Sequence, residues 1–160
     1  MPNIVRAPKN TAPLKTILKL FPKSGRLIQE LRKELFKGSS MLTSAECELI
    51  AAYVSELNSS LSCLKAHSAN AEVNGIGKNQ LESVLEDIES AECEEKLKSI
   101  LHFVKKLTLT PSRMTPDDAE TIFDSGWDKE TYYYIVSICS ITNYTNRMVS
   151  GYYFYDDNTK

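Results

Sequence analysis

Apolar residues recur every three or four positions along most of the chain, which is the spacing of one face of an α-helix. In "GRLIQELRKELFKGS" the repeating positions are Leu27, Ile28, Leu31 and Leu35, and Gly38 stands where such a helix would stop. Comparable stripes occur in "LTSAECELIAAYVSELN", "NQLESVLEDIES" and "EEKLKSILHFVKKLTL". The pattern predicts a protein built mainly from amphipathic helices.

Polar residues mark where several of these helices begin. Thr43 is followed three residues later by Glu46, the spacing of a capping box, which predicts a helix start at this point. In "MTPDDAETIF", Thr115 is a candidate N-cap and Pro116 occupies the first helical position. The local sequence therefore predicts where two of the helices begin.

The last helix is predicted to run from Asp128 as its N-cap to Gly151, with Trp127 packing just before it as a hydrophobic staple. The segment "TYYYIV" within it has strand propensity, but no Asn-Gly hairpin separates alternating strands anywhere in the sequence. The predicted class is all-α, with about seven or eight helices.

Composition limits the organisation and the partners. A chain of 160 residues, of which 42% are hydrophobic, is long enough for one domain and short for two. We expect a single domain over residues 1–160, with 1–12 as a flexible N-terminal segment. The net charge of −2, with acids and bases interspersed, does not favour binding to nucleic acid or to an anionic membrane.

The compartment is predicted from apolar runs and cysteines. No run approaches the roughly 20 apolar residues that cross a bilayer, and "MPNIVRAPKNTAP" lacks the apolar region of a secretory signal. The four cysteines are widely spaced in a chain with enough apolar residues for a core, so reduced thiols are favoured over a disulfide framework. A soluble, cytoplasmic protein is expected.

The stretch "NSSLSCLKAHSANAE" carries candidate chemistry. Asn58, Ser59 and Ser60 are expected to end one helix and cap the next, which places Cys63 in the first turn of that next helix. A thiol near a helix N-terminus is favoured as thiolate, the nucleophilic form. His67 lies one turn further on the same face and could exchange a proton with Cys63 or a substrate.

Glu48 on the preceding helix could complete this group. If the two helices form an antiparallel hairpin, its carboxylate faces the turn that holds Cys63 and His67. Two other interpretations stay open: Cys63 can be a small buried hydrophobe and His67 a structural residue. A zinc site from Cys47, Cys63 and His67 is disfavoured, because paired C-x-x-C and H-x-x-x-H spacings are absent.

Glu48, then eleven residues, then Ser60-x-x-Cys63-x-x-x-His67 resembles the glutamate, C-x-x-C and histidine signature of the carboxymuconolactone decarboxylase family, in its alkylhydroperoxidase D-like, peroxidase-related branch. "LTSAECELIAAYVSELN" resembles that branch's helix before the active-site cysteines. "FVKKLTLTPSRMTPDD" resembles the linker that follows them, and "GWDKE" with "NYTNRMVSG" resembles the C-terminal helix. Roughly residues 20 to 151 share the resemblance, and several motifs in one order are more specific than a single motif.

The resemblance implies an alkylhydroperoxidase D-like, all-helical fold with a helix-hairpin core and assembly into dimers, trimers or hexamers. Carried over from active members, Cys63 would attack a hydroperoxide, and Glu48 and His67 would relay protons. Ser60 stands where those members have the resolving cysteine. Serine cannot close a disulfide, so the oxidised Cys63 would need an external thiol reductant, with Cys47 as a weak candidate substitute.

Three functions therefore compete. The first, which we favour, is a single-cysteine peroxidase that acts on organic or other small hydroperoxides and needs no cofactor or metal. The second is a non-redox decarboxylase or isomerase in which Glu48 and His67 move protons and Arg147 anchors a substrate carboxylate. The third is a catalytically silent member of the fold. The tyrosine-rich segments "TYYYI" and "GYYFY" additionally favour a homo-oligomer.

Overall fold

The computed structural model describes residues 12–152. Within that range the chain forms eight α-helices and one short 3-10 helix, and no strand. The α-helices are α1 (Pro13–Leu20), α2 (Pro22–Leu35), α3 (Ser44–Leu57), α4 (Leu61–Val73), α5 (Lys78–Glu86), α6 (Glu95–Leu109), α7 (Pro116–Asp124) and α8 (Lys129–Gly151); the 3-10 helix is Pro111–Arg113. The predicted all-α class is confirmed. The expected flexible segment lies outside the described residues apart from residue 12.

The centre of the fold is α3, which packs against α4, α5, α6 and α8. Ten of its 14 residues are buried, so this helix is apolar almost all round instead of along one stripe. Glu48 is one of the few charged residues on it and is itself buried. A functional group placed on α3 is therefore held by the core of the protein.

A tight turn joins α3 to α4. The amide of Ser60 donates to the carbonyl of Ser55 at 2.9 Å, and the amide of Ser59 donates to the carbonyl of Glu56 at 2.8 Å. This is the Schellman arrangement, and Ser59 takes the left-handed conformation, with φ of 52°, that glycine usually supplies. The turn folds α4 back along α3, as the predicted hairpin requires.

The predicted helix starts are confirmed. Thr43 and Glu46 form a reciprocal capping box, and Thr115 forms another with Asp118. Asp128 caps α8 by accepting a hydrogen bond of 2.7 Å from the amide of Thr131. These interactions span only three residues, which is why the sequence predicted them.

Trp127, which precedes α8, is buried against α6. Its Nε1 donates to the carbonyl oxygen of Lys96 at 3.0 Å, and the Lys96 ammonium lies 4.0 Å from the centroid of its ring. These contacts with α6 fix the position of the segment that leads into α8. The hydrophobic staple with α8 stays a prediction.

The apolar stripe of α2 is only partly covered. Leu35 is buried and Ile28 is half-buried, whereas Leu27 is 61% exposed and Leu31 is 43% exposed. At the junction with α1, a short helix that the sequence pattern did not indicate, Phe21 is 55% exposed. Helix α2 thus presents an apolar surface that the described residues do not cover.

Of the two tyrosine-rich segments, the first lies within the described residues and the second lies mostly outside them. Tyr133 in "TYYYI" is 60% exposed, while its two tyrosine neighbours are half-buried. In "GYYFY" only Gly151 and Tyr152 fall within the described residues.

None of the helices between residues 12 and 152 has the length and apolar character that crossing a bilayer requires.

Candidate active site

Glu48 and His67 meet between α3 and α4. Nδ1 of His67 donates to Oε2 of Glu48 over 2.6 Å, and both side chains are buried. Nδ2 of Asn70, one turn further along α4, donates to Oε1 of the same carboxylate at 3.2 Å. With Nδ1 committed to Glu48, the proton-accepting nitrogen of the neutral imidazole is Nε2. The expected contact between Glu48 and the histidine turn is present.

The end of α2 packs against His67 through Phe36, the residue that follows this helix. The Phe36 ring stacks on the His67 ring with centroids 5.4 Å apart and planes 18° apart. On the Phe36 ring lies the guanidinium of Arg32, whose Cζ is 5.2 Å from the ring centroid. The order Arg32, Phe36, His67 connects α2 to α4 through stacked planar groups. This arrangement places the permanent positive charge of Arg32 near Glu48 and His67.

The charge of Arg32 is held in a partly desolvated position. Its Nη1 is buried and has no hydrogen-bond partner among residues 12–152. Burial lowers the pKa of Arg32, while the nearby Glu48 and Cys63 act in the opposite direction by favouring the charged form. An arginine side chain stays protonated throughout the physiological range, so the site contains a fixed cation.

Cys63 is the third residue of α4, as the sequence predicts. The residue is 7% exposed and belongs to a small apolar cluster with Ile17 of α1 and Val149 of α8, separate from the main core. No hydrogen bond joins Cys63 to Glu48 or His67 in the described part of the chain. The structure therefore places Cys63 beside the acid/base pair along α4, in apolar surroundings of its own.

Ser60 occupies the N-cap position of α4, but its side chain makes no capping hydrogen bond, so the expected hydroxyl cap is wrong. Its backbone, with φ of −92° and ψ of 77°, departs from the extended conformation in which an N-cap side chain reaches the first amides. The hydroxyl oxygen is instead buried without a partner among the described residues. This is the position of the resolving cysteine in the resemblance.

Cys47 is poorly placed to replace that cysteine. It is fully buried in the main core, whereas Cys63 belongs to the separate cluster. Burial, together with the neighbouring carboxylates Glu46 and Glu48, raises the pKa of Cys47 to about 12. A thiol that stays protonated and inaccessible is a poor partner in disulfide exchange.

Arg147, the sequence candidate for a carboxylate anchor, lies elsewhere. It is exposed, and its Nη1 donates to Oδ1 of Asn143 at 2.6 Å and to the carbonyl of Asn143 at 3.1 Å. The cation that acts on Glu48 and Cys63 is Arg32, which the sequence analysis missed. The available signal was the spacing of Arg32 and Phe36, four residues apart on one helix.

Neither a metal-binding group nor either of two surface cavities coincides with this site in the described residues. Between residues 12 and 152, no group of three or more His, Cys, Asp or Glu side chains is arranged to hold a metal ion. A surface cavity of about 400 Å³ is lined by residues around Glu46 and Gly75, and one of about 180 Å³ by residues around Tyr53 and Asp87. Neither is lined by Glu48, Cys63 or His67.

Comparison with known proteins agrees with this architecture. The sequence model of the carboxymuconolactone decarboxylase family matches residues 22–106, the segment that contains Arg32, Glu48, Cys63 and His67. No curated protein matches the chain.

Two crystal structures are similar in fold. One is an uncharacterized peroxidase-related protein from Silicibacter sp. TM1040, with a TM-score of 0.77 and 24% identity over 84% of this chain and 72% of that one. The other, from Ralstonia eutropha JMP134, is described as an alkylhydroperoxidase AhpD core and an uncharacterized peroxidase-related protein; its TM-score is 0.77, with 22% identity over 88% of this chain and 75% of that one. At these identities the likeness establishes the fold, which is alkylhydroperoxidase D-like.

Proposed function

The chain belongs to the carboxymuconolactone decarboxylase family, and on that basis we propose that it reduces organic hydroperoxides through Cys63 with an external thiol as reductant. The observation that carries the proposal is the buried 2.6 Å hydrogen bond between Glu48 and His67, one helical turn from Cys63. A carboxylate that orients an imidazole is a common arrangement for moving protons beside a nucleophile.

The proposed reaction begins at the thiolate of Cys63. The sulfur attacks the terminal oxygen of the hydroperoxide, the O–O bond breaks, and the leaving alkoxide takes a proton to become an alcohol. Cys63 is then a sulfenic acid, oxidised by two electrons. His67, held by Glu48, takes the thiol proton and returns a proton to the leaving oxygen.

The second half of the cycle needs a reductant. A thiol of an external dithiol attacks the sulfenic sulfur, releases water and forms a mixed disulfide. The second thiol of the dithiol then displaces Cys63, which returns to the reduced form while the reductant leaves as a disulfide. Ser60 cannot take this role because a hydroxyl forms no disulfide, and Cys47 is buried in another cluster.

The surroundings of Cys63 support an organic substrate. Ile17 and Val149 pack against the thiol, and Leu14, Met148 and Tyr152 border the same cluster. Apolar contacts of this kind favour a hydroperoxide with a hydrocarbon group over hydrogen peroxide, which would bury no apolar surface there.

We also propose that the protein works in the cytoplasm as a homo-oligomer: a dimer, trimer or hexamer. The exposed apolar surface of α2, with Leu27 and Leu31, supports such an assembly, because large uncovered apolar patches on soluble proteins mark interfaces. The four free cysteines are compatible with a reducing compartment.

The proposal is tested by treating the purified protein with cumene hydroperoxide and trapping sulfenic acid with dimedone. We expect dimedone on Cys63 and hydroperoxide consumption in the presence of dithiothreitol. Cys63→Ser should abolish both. Cys93→Ser is the matched control, because Cys93 is the most accessible of the other described cysteines and its removal should change neither. Consumption no faster than with dithiothreitol alone would contradict the proposed function.

A further inference from the structure

Several buried side-chain polar atoms in the described part of the chain have no hydrogen-bond partner. Polar groups in a protein interior are almost always hydrogen-bonded, so each exception requires an explanation. In residues 12–152 there are four such atoms: Thr16 Oγ1 on α1, Arg32 Nη1 on α2, Ser60 Oγ before α4 and Thr142 Oγ1 on α8. Thr16 adjoins Ile17, which packs on Cys63, and Ser60 lies one turn before Cys63. The elements that surround the thiol thus carry unused hydrogen-bonding capacity.

Arg32 is the charged member of this set. The described residues place no carboxylate within 4.0 Å of it, so it has no direct ion pair there. Glu48 is the nearby acid, but its two oxygens accept from His67 and Asn70. A buried donor of a charged group is costly to leave unpaired, and a bound anion would remove that cost.

Ser60 supplies a second donor. The residue is only 6% exposed, and its hydroxyl is free because it does not cap α4. A guanidinium N–H and a hydroxyl together suit a carboxylate, which accepts hydrogen bonds at both oxygens. The apolar cluster of Ile17, Cys63 and Val149 suits a hydrocarbon body.

We propose that Arg32 and Ser60 form an anion site beside Cys63, which binds the carboxylate of a hydroperoxide of an organic acid. The inference rests on the proposed function, since it names the substrate class of the same thiol. Arg32 is a binding residue in this view. It selects anionic over neutral substrates and leaves the proton transfer to Glu48 and His67.

The site can be tested without turnover, by comparing how fast Cys63 is alkylated by iodoacetate and by iodoacetamide. The two reagents differ in carrying a carboxylate or a neutral amide, and both react with the same thiolate. The ratio of their rates is therefore independent of how much thiolate is present. The measurement uses the full chain with Cys93→Ser and follows the Cys63 peptide by mass spectrometry.

We expect Arg32→Gln to lower the iodoacetate-to-iodoacetamide ratio roughly tenfold, the size of one lost charge-assisted hydrogen bond. Ser60→Ala should lower the ratio less, and it removes no observed hydrogen bond, so its fold should be unaffected. Arg32→Lys keeps the charge without the planar fork and should give an intermediate ratio. Arg26→Gln is the matched control, because Arg26 is on α2 but exposed, 3.8 Å from Glu30, and should leave the ratio unchanged.

The outcomes separate the two proposals. An unchanged ratio in Arg32→Gln and Ser60→Ala, with Cys63 still alkylated, would overturn the anion site and leave the proposed function standing. Equal slowing of both reagents in Arg32→Gln would also overturn it, since Arg32 would then act on the thiolate alone. A Cys63 that reacts with neither reagent would contradict the proposed function itself and the inference with it.

Discussion

Glu48 and His67, 19 residues apart in the chain, are joined by a buried hydrogen bond of 2.6 Å between α3 and α4. The bond depends on the Schellman turn at Ser59, which reverses the chain between the two helices. Because α3 is buried in the core, it fixes the position of the carboxylate, while α4 brings the imidazole to it and carries Cys63 one turn earlier. The candidate chemistry is thus a property of the helix hairpin.

Glu48→Gln should slow the oxidation of Cys63 by about 100-fold, because the amide keeps the size of the side chain but replaces the carboxylate that orients the His67 ring through Nδ1. The rate of dimedone-trapped sulfenic acid formation measures the effect. Asn70→Ala is the comparison variant: it removes one hydrogen bond from the carboxylate and should have a smaller effect. An unchanged rate in a folded Glu48→Gln protein would remove Glu48 from the mechanism.

Ser60→Cys should give the protein a reversible disulfide with Cys63 and faster dithiol-dependent hydroperoxide turnover. The two positions are three residues apart at the start of α4, and the Ser60 hydroxyl has no partner among the described residues to lose. Non-reducing mass spectrometry detects the disulfide, and hydroperoxide consumption measures the turnover. Adding Cys63→Ser to this variant should abolish both, and a disulfide without turnover would favour the catalytically silent alternative.

Asp128→Ala should lower the melting temperature by a few degrees without changing the alkylation of Cys63, because Asp128 caps α8 far from the thiol along the chain. The hydrogen bond from the Thr131 amide lowers the pKa of Asp128 below its ordinary 3.8. The stabilisation is therefore present above pH 3.8 and is lost as the pH falls through the lower pKa of the folded state. Thermal melts of wild type and Asp128→Ala at a series of pH values should show that their difference in melting temperature disappears in acid.

Leu27→Glu with Leu31→Glu should convert the proposed oligomer to an 18.0 kDa monomer while the helical content stays the same. Both leucines are exposed on α2, so charges there leave the described core intact but oppose burial at an interface. Light scattering at micromolar concentration gives the mass. Gln29→Glu, also on an exposed position of α2, is the control for added charge. A wild-type monomer would contradict the proposed assembly.

Cys47 should resist alkylation in the native protein and react after unfolding, since it is fully buried and its pKa is raised to about 12. Between its ordinary value of 9.0 and about 12, the unfolded chain loses the Cys47 proton while the folded chain keeps it. Stability should therefore fall as the pH rises through this interval. The stability difference between wild type and Cys47→Ala, measured by urea unfolding, should narrow over the same range.

Features that depend on neighbours three or four residues apart were determined by the sequence alone. The capping boxes at Thr43 and Thr115, the Asp128 cap and the place of Cys63 in the first turn of α4 are of this kind. Each results from hydrogen bonds or side-chain periodicity within one helix, so the local sequence contains the necessary information. The all-α class followed from the same signals.

Tertiary structure decided which of these helices pack together and how far each side chain is buried. It joined Glu48 to His67, placed Arg32 over Phe36 at the same pair, and left the Ser60 hydroxyl without the cap that its position suggested. It also covered Leu35 but not Leu27, although both belong to one apolar stripe. Burial and pairing of this kind depend on contacts between residues far apart in the chain, whose geometry is set by the packing of whole helices and not by the spacing within any one of them.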